Sequence, residues 1–359
     1  MKVTLPIWTI AAPIIAWVLY LIPVQGMGAV YLSLLTIGLF GGVLAAVHHA
    51  EVVAHRVGEP YGTLVLAVAV TIIEVALIVS LMMAGGPETT ALARDTVFAA
   101  VMIILNGIIG ICLLVGGARF KEQTFSLDGV SAALTTLAAI AVLTLILPNY
   151  TTSAPGPVYT SSQLIFIAVV TLTLYGTFVL VQTIRHRDYF LPSHGEAGDE
   201  EAHAAPPSLS TTAISSLLLL VCLAAVVLLA KALAPSIEQG VASMGAPKAV
   251  VGVIIAAVVL LPEGIAAVHA ARANRLQTSL NLALGSALAS IGLTIPTVAV
   301  LSLISGLTLT LGLDIKSTVL LVLSLFTTML SLGTGKTTVL PGVVLLVIFA
   351  VYLFTTVIP

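Results

Sequence analysis

Residues 62–84 run for twenty-three positions with a single charge, Glu74, near the middle. A stretch of that length and polarity leaves little choice of structure. About 20 apolar residues wound as a helix match the hydrocarbon thickness of a bilayer. The run is therefore expected to cross a membrane, and a carboxylate at that depth costs roughly 2.5 kcal/mol or more. Any reading of the chain has to explain why Glu74 is there.

The pattern recurs. Eleven apolar segments are expected, near 5–23, 28–50, 61–84, 95–117, 127–147, 162–184, 211–233, 248–271, 278–303, 315–332 and 338–357. The segment after Lys2 has no convincing small-residue cleavage site, so it counts as a span and not a leader. Only 8% of the 359 residues are charged and 59% are hydrophobic, where a soluble domain carries about 25% charged residues. The fold class that follows is an all-α polytopic membrane protein with little left over for a soluble domain. The net charge of −2 is uninformative, and nothing in the sequence suggests a nucleic-acid partner. Cys112 and Cys222 lie inside apolar runs and read as ordinary buried thiols.

Basic residues orient the spans. With eleven crossings, Lys2, Arg56, Arg119, Lys121, Arg185, Arg187, Arg272, Arg275 and Lys336 fall on one face. Arg94, Lys231, Lys248 and Lys316 fall on the other. The positive face is expected to be cytoplasmic. That places the N-terminus in the cytoplasm and the C-terminus outside, with a bacterial inner membrane as the setting.

A loop at 185–210 holds Asp188, Glu196, Asp199, Glu200 and Glu201 with several histidines. It reads as a solvated cytoplasmic linker, with a cation-collecting or regulatory role as the alternative. It also divides the chain. The expected organisation is an N-terminal extra helix at 1–27, a five-helix repeat at 28–184, the acidic loop, and a second five-helix repeat at 211–359.

The second repeat has its own Glu74. In "VVGVIIAAVVLLPEGIAAVHAA" the sole acidic residue is Glu263. These two are the carboxylates deep in apolar spans, one in each half. Each is followed by a helix carrying a small, polar, glycine-containing break. Asn106–Gly107 and Gly110 mark the first, and Gly285–Ser286 the second. Because each repeat has an odd number of helices, the second runs upside-down relative to the first. Inverted repeats with interrupted helices near the midplane are the pattern of secondary transporters.

Two carboxylates sharing one dry site cannot both stay ionised without a counter-charge. A divalent cation or two protons would supply it. A hard cation such as calcium takes about six to eight oxygen ligands. Candidate secondary ligands are Thr71, Asn106, Ser286 and Ser290, with backbone carbonyls and water. Pro262 removes an amide donor beside Glu263; a carbonyl exposed toward the ion and a simple packing kink both remain open. Helix kinks are expected at Gly107, Gly110, Pro262 and Gly285.

Near the cytoplasmic end of the second span, His48, Glu51 and His55 share one helix face by spacing. They offer a cation or proton entrance, or simply a polar helix end in headgroup water. His269, six residues after Glu263, is a candidate proton relay or a structural histidine. One motif is a decoy. "LGTGKTT" at 332–338 has Leu330 where a phosphate-binding loop needs its first glycine. No nucleotide is expected, and Lys336 reads as an interfacial anchor.

Two stretches carry a resemblance. "HHAEVVAHRVGEPYGTLVLAVAVTIIEVALIVSLM" and "LLPEGIAAVHAARANRLQTSLNLALGSALAS" resemble the two signatures of the cation/proton exchanger branch of the calcium/cation antiporter superfamily. The resemblance covers essentially the whole chain. It implies that Glu74 and Glu263 form the cation site. The chain departs from the branch's Gly-Asn-Ala-Ala-Glu pattern, with Thr71 and Leu260 at the Asn positions, so the choice among Ca2+, Na+ and K+ stays open.

The function expected is a secondary cation/proton antiporter that needs no cofactor and is not an enzyme. It would export Ca2+, with Na+ or K+ as further candidates, in exchange for H+. The alternative is a passive cation channel lined by the same carboxylates. Membrane lipid is the surroundings, and the sequence leaves the oligomeric state open.

Overall fold

A computed structural model describes residues 5–22, 28–58, 61–85, 89–191 and 207–358. Helices stand at all eleven expected places. In chain order they are α1 (Ile7–Leu21), α2 (Gly28–Val57), α3 (Tyr61–Gly85), α4 (Leu92–Met102) continued by α5 (Ile109–Phe120), α6 (Leu127–Ala141), α7 (Ser161–Leu180), α8 (Leu209–Ser243), α9 (Ala249–Arg272), α10 (Leu276–Ser305), α11 (Ile315–Leu332) and α12 (Val339–Val357). Ten of the described helical stretches are long and apolar enough to cross a membrane; Ile7–Leu21 is shorter. The all-α polytopic reading therefore holds. In hydrocarbon each backbone N–H and C=O needs a partner within the protein, and a helix provides it locally.

The helices are not uniform. Between α4 and α5 the residues Ile103–Ile108 form a π-helical segment. Further π segments follow α6 (Val142–Ile146) and α7 (Val181–Arg185). Short caps fix several ends. Thr160 and Gln163 make a reciprocal capping box at the start of α7, and Asp314 accepts from the Ser317 amide at 2.6 Å to start α11. Gly306, at φ 70°, ends α10 in the left-handed region.

The chain divides into two compact units. The first is made of residues 1–89 and 198–245, the second of 90–197 and 246–359. Each unit takes helices from both halves of the sequence. The central part of the acidic loop, 192–206, lies outside the described residues, as does Lys2.

In the first unit, α2 packs against α1, α3 and α8. Trp17 donates its indole N–H to the Val221 carbonyl at 3.2 Å, tying α1 to α8. Tyr31 donates to the Leu19 carbonyl at 2.7 Å, tying α2 to α1.

In the second unit, α9 lies against α4 and α10, and α5 against α12. Small residues allow the close crossings, as is usual between membrane helices. A Cβ on Gly342 of α12 would stand 2.5 Å from the Leu114 backbone nitrogen and 2.8 Å from the Gly110 carbonyl. At one end of this unit two short strands, β1 (Gln123–Thr124) and β2 (Lys336–Thr337), pair antiparallel. The segment that mimics a phosphate loop is thus one side of a hairpin-like latch. Gln123 donates to the Asn274 side chain at 2.9 Å and the Ala271 carbonyl at 3.2 Å. The latch therefore grips the turn between α9 and α10.

Candidate functional site

Glu74 sits mid-way along α3 and is 2% exposed. Thr71, one turn earlier on the same face, is also buried. Both belong to the first unit. Ile73 and Ile78, on the inward side of the same helix, are fully buried too, whereas Ile72 is exposed. The carboxylate therefore lies in protein interior and not against lipid.

The other candidate ligands belong to the second unit. Glu263 is half-buried on α9, one residue after Pro262, and α9 continues as α-helix through the proline. On α10, Ser286 is half-buried and Ser290, one turn on, is 5% exposed. α10 keeps α-helical hydrogen bonding through Gly285–Ser286, unlike the break at Asn106–Gly107. No atom lies within 4 Å of where a Gly285 Cβ would be, so close packing does not force an interruption there.

Asn106 lies in the π segment and is completely buried. That segment packs against both α9 and α10. A Cβ on Gly264, the residue after Glu263, would stand 3.3 Å from the Ile108 side chain. The Asn106 amide nitrogen donates to Ser324 Oγ at 2.8 Å and to the Met102 carbonyl at 3.3 Å. Its Oδ1 is buried with no hydrogen-bond partner in the structure. A buried amide oxygen of this kind is costly unless something binds it. π segments occupy well under 1% of residues and occur often at functional sites. Gly107 and Gly110 face the other way, toward Phe349 and Leu346 of α12. They let α12 seat against the segment.

The chemistry that this arrangement offers is oxygen ligation. The second unit holds a carboxylate, an open amide oxygen and two serine hydroxyls on elements that pack together. These are hard donors, suited to Ca2+, Na+ or K+ rather than to soft metals. Among the described residues no group of three His, Cys, Asp or Glu forms a metal cluster.

The polar end of α2 is more elaborate than its spacing implied. His48 is half-buried with Trp8 5.7 Å away, centroid to centroid, while Glu51 and His55 are exposed. Sequence reasoning passed over His49, which is fully buried. Its Nε2 donates to the Thr9 carbonyl at 3.1 Å, so the N-terminal turn of α1 covers it. His269 is exposed on α9. Ser324 was also missed; its one sequence signal is a hydroxyl four residues before Thr328, and several other hydroxyls on the same helix hide it. Cys112 and Cys222 are free and buried, as expected.

At the opposite end of the second unit from the β latch is a cavity of about 160 Å3. It is lined by Arg94, Asp95, Asp314, Lys316 and Tyr352, among others. Arg94 pairs with Asp95 at 2.7 Å and donates to the Gly312 carbonyl at 3.0 Å.

The sequence matches the family described as sodium/calcium exchanger protein over residues 27–184 and again over 214–358. The chain belongs to that family. Within it, the chain falls in the cation/proton exchanger branch. Similar proteins include y4hA of Sinorhizobium fredii, 49% identical over 99% of this chain and 97% of that protein. The sodium-potassium/proton antiporter ChaA of Escherichia coli is 36% identical over 89% of this chain and 86% of its own length. Among solved structures, native YfkE superimposes with a TM-score of 0.74 at 16% identity, covering 98% of this chain and 99% of that one. The H+/Ca2+ exchanger CAX gives a TM-score of 0.72 at 16% identity, over 97% and 88% of the two chains. These likenesses establish the fold of the family for this chain. It is an integral membrane protein of a transporter family.

Proposed function

We propose that the chain is a secondary cation/proton antiporter working by alternating access. It exports Ca2+, with Na+ or K+ as further substrates, from the cytoplasm in exchange for H+. The observation that carries this reading is the pair of carboxylates, Glu74 and Glu263, each within an apolar helix and each in its own half of the sequence. The family match in two stretches, 27–184 and 214–358, supports reading the halves as inverted repeats. The printed substrates of ChaA, sodium, potassium and protons, support the monovalent ions. Those of CAX, protons and calcium, support the divalent one.

In this mechanism Glu74 and Glu263 each bind metal or protons, in competition. Asn106, Thr71, Ser286 and Ser290 add neutral oxygens. Open to the acidic side, the carboxylates release metal and take protons. Open to the cytoplasm, they lose protons and bind metal. The empty, doubly charged site does not cross, because moving unpaired charge through hydrocarbon is too costly. Exchange is obligatory for that reason.

The basic residues support the orientation. In the second unit Arg119, Arg272 and Lys336 gather at the latch end, where Lys336 pairs with Glu122 at 3.1 Å and Arg119 donates to the Arg272 carbonyl. We assign that end to the cytoplasm, with the N-terminus inside, the C-terminus outside and a bacterial inner membrane around it. His48, Glu51 and His55 then sit at the cytoplasmic end of α2 and His269 at that of α9, as entrance or relay groups.

The test is the pH inside everted membrane vesicles. Adding calcium should drive protons out of the lumen in the wild type. Glu74→Gln and Glu263→Gln, inserted at normal levels, should show no such movement. A passive channel would pass calcium without obligatory proton counterflow. That result, or full exchange in either variant, would overturn the proposal.

A further inference from the structure

The amide of Asn106 has two ends that are alike in shape and opposite in chemistry. One donates and the other accepts. In the antiporter reading, the end turned to the ion decides whether this position attracts a cation or repels it. The sequence of Asn106 alone does not choose, because a free amide flips.

Ser324 on α11 makes the choice. A serine hydroxyl has one proton. Its acceptors here are the Leu320 carbonyl one turn back, at 2.7 Å, and the weaker Met102 sulfur at 3.4 Å. What remains toward Asn106 is lone pairs, so the amide must present its nitrogen, and it does so at 2.8 Å. The Met102 carbonyl, which can only accept, holds the same nitrogen at 3.3 Å. With Nδ2 held from two sides, Oδ1 is turned the other way, buried and without a protein partner. Asn106 and Ser324 are both fully buried, so bulk water does not compete for either. Flipping the amide would set Oδ1 against the Met102 carbonyl, which cannot donate, and Ser324 could serve it only by giving up its bond to the Leu320 carbonyl.

We infer that Ser324 is a positioning residue for the cation site: it locks Asn106 with the amide oxygen turned to the ion, and so sets affinity without touching the ion. This rests on the antiporter reading above, in which Asn106 is a ligand. Losing the lock leaves the amide free to turn its N–H groups toward the site, where they oppose a cation.

The experiment uses the full-length protein in proteoliposomes, with calcium chloride as the probe. Initial rates of calcium-dependent proton movement are measured across calcium concentrations. Ser324→Ala should raise the half-saturating calcium about tenfold, with the maximal rate preserved. Ser324→Thr, which keeps the hydroxyl, should restore the wild-type value. Asn106→Ala should show a shift at least as large, and the double variant should be no worse than Asn106→Ala alone, because the serine acts through the amide. Should Ser324→Ala not yield folded protein, Ser324→Cys, with its weak acceptor sulfur, takes its place with the same expectations. An unchanged half-saturation in the serine variant, or shifts that multiply in the double variant, overturns the inference. The underlying reading is checked separately: a fully active Glu263→Gln sinks the antiporter mechanism, whereas an inactive Glu263→Gln beside an unaffected Ser324→Ala sinks only the role of Ser324.

Discussion

At the scale of single residues, the interior is arranged around a few polar atoms that hydrocarbon would otherwise reject. Glu74 is 2% exposed in the middle of an apolar helix, a placement that costs about 2.5 kcal/mol or more on insertion. Asn106 keeps an open acceptor at full burial. Such costs are sustained where a ligand offsets them, and under the proposed mechanism an oxygen-seeking cation is that ligand. Packing at this scale is equally specific. Gly342→Ala would place a methyl 2.5 Å from the Leu114 backbone nitrogen. Backbone cannot yield as a side-chain tip does, so the variant should lose about 1–3 kcal/mol of stability, read as a lower melting temperature in detergent. An unchanged melting temperature would mean that α5 and α12 do not cross this closely. Glu74 and Glu263 were legible in the sequence because a charge in an apolar run stands out. Ser324 was not, because its partner is 218 positions away and a serine in a membrane helix usually satisfies itself on its own i−4 carbonyl.

At the scale of elements, the helices follow from hydrophobic runs of bilayer length, and their positions were readable to within a few residues at most ends. Two features were not. The π segment Ile103–Ile108 packs against α12 at Gly107 and Gly110, a contact between distant parts of the chain that no local pattern announces. The β1–β2 latch is too short to carry a strand pattern; two residues a side read as a turn. Its grip on the α9–α10 turn gives it consequences for the site, since α9 carries Glu263 and α10 carries Ser286 and Ser290. Gln123→Ala removes both hydrogen bonds to that turn, about 1 kcal/mol each. It should lower the melting temperature, and the α9–α10 turn should exchange amide hydrogens faster. Unchanged exchange there would show that the latch does not hold the turn. The capping box at Thr160 makes a simpler test of local structure. Thr160→Ala should cost roughly 0.5–2 kcal/mol, seen in thermal melting, with transport affinity unaltered.

At the scale of the whole molecule, the account is a competition. In the proposed mechanism metal and protons claim the same carboxylates, so each should weaken the other's binding. Lowering the pH on the side where calcium binds protonates the site and should raise the half-saturating calcium, by about tenfold per pH unit for each proton displaced. The sign is fixed: affinity falls as pH falls, because the ligating form is the ionised one. A half-saturation that stays flat with pH would mean that the two ions use separate sites. The two compact units do not follow the two sequence halves, since each draws helices from both. That composition was not legible in the sequence, because it depends on packing between residues far apart in the chain.

The most direct measurement of this competition is the number of protons released when calcium binds to the purified protein in weakly buffered detergent solution. The account predicts that calcium displaces protons from the wild type, and that Glu74→Gln and Glu263→Gln release fewer or none. Calcium binding to the wild type with no proton displaced would contradict it.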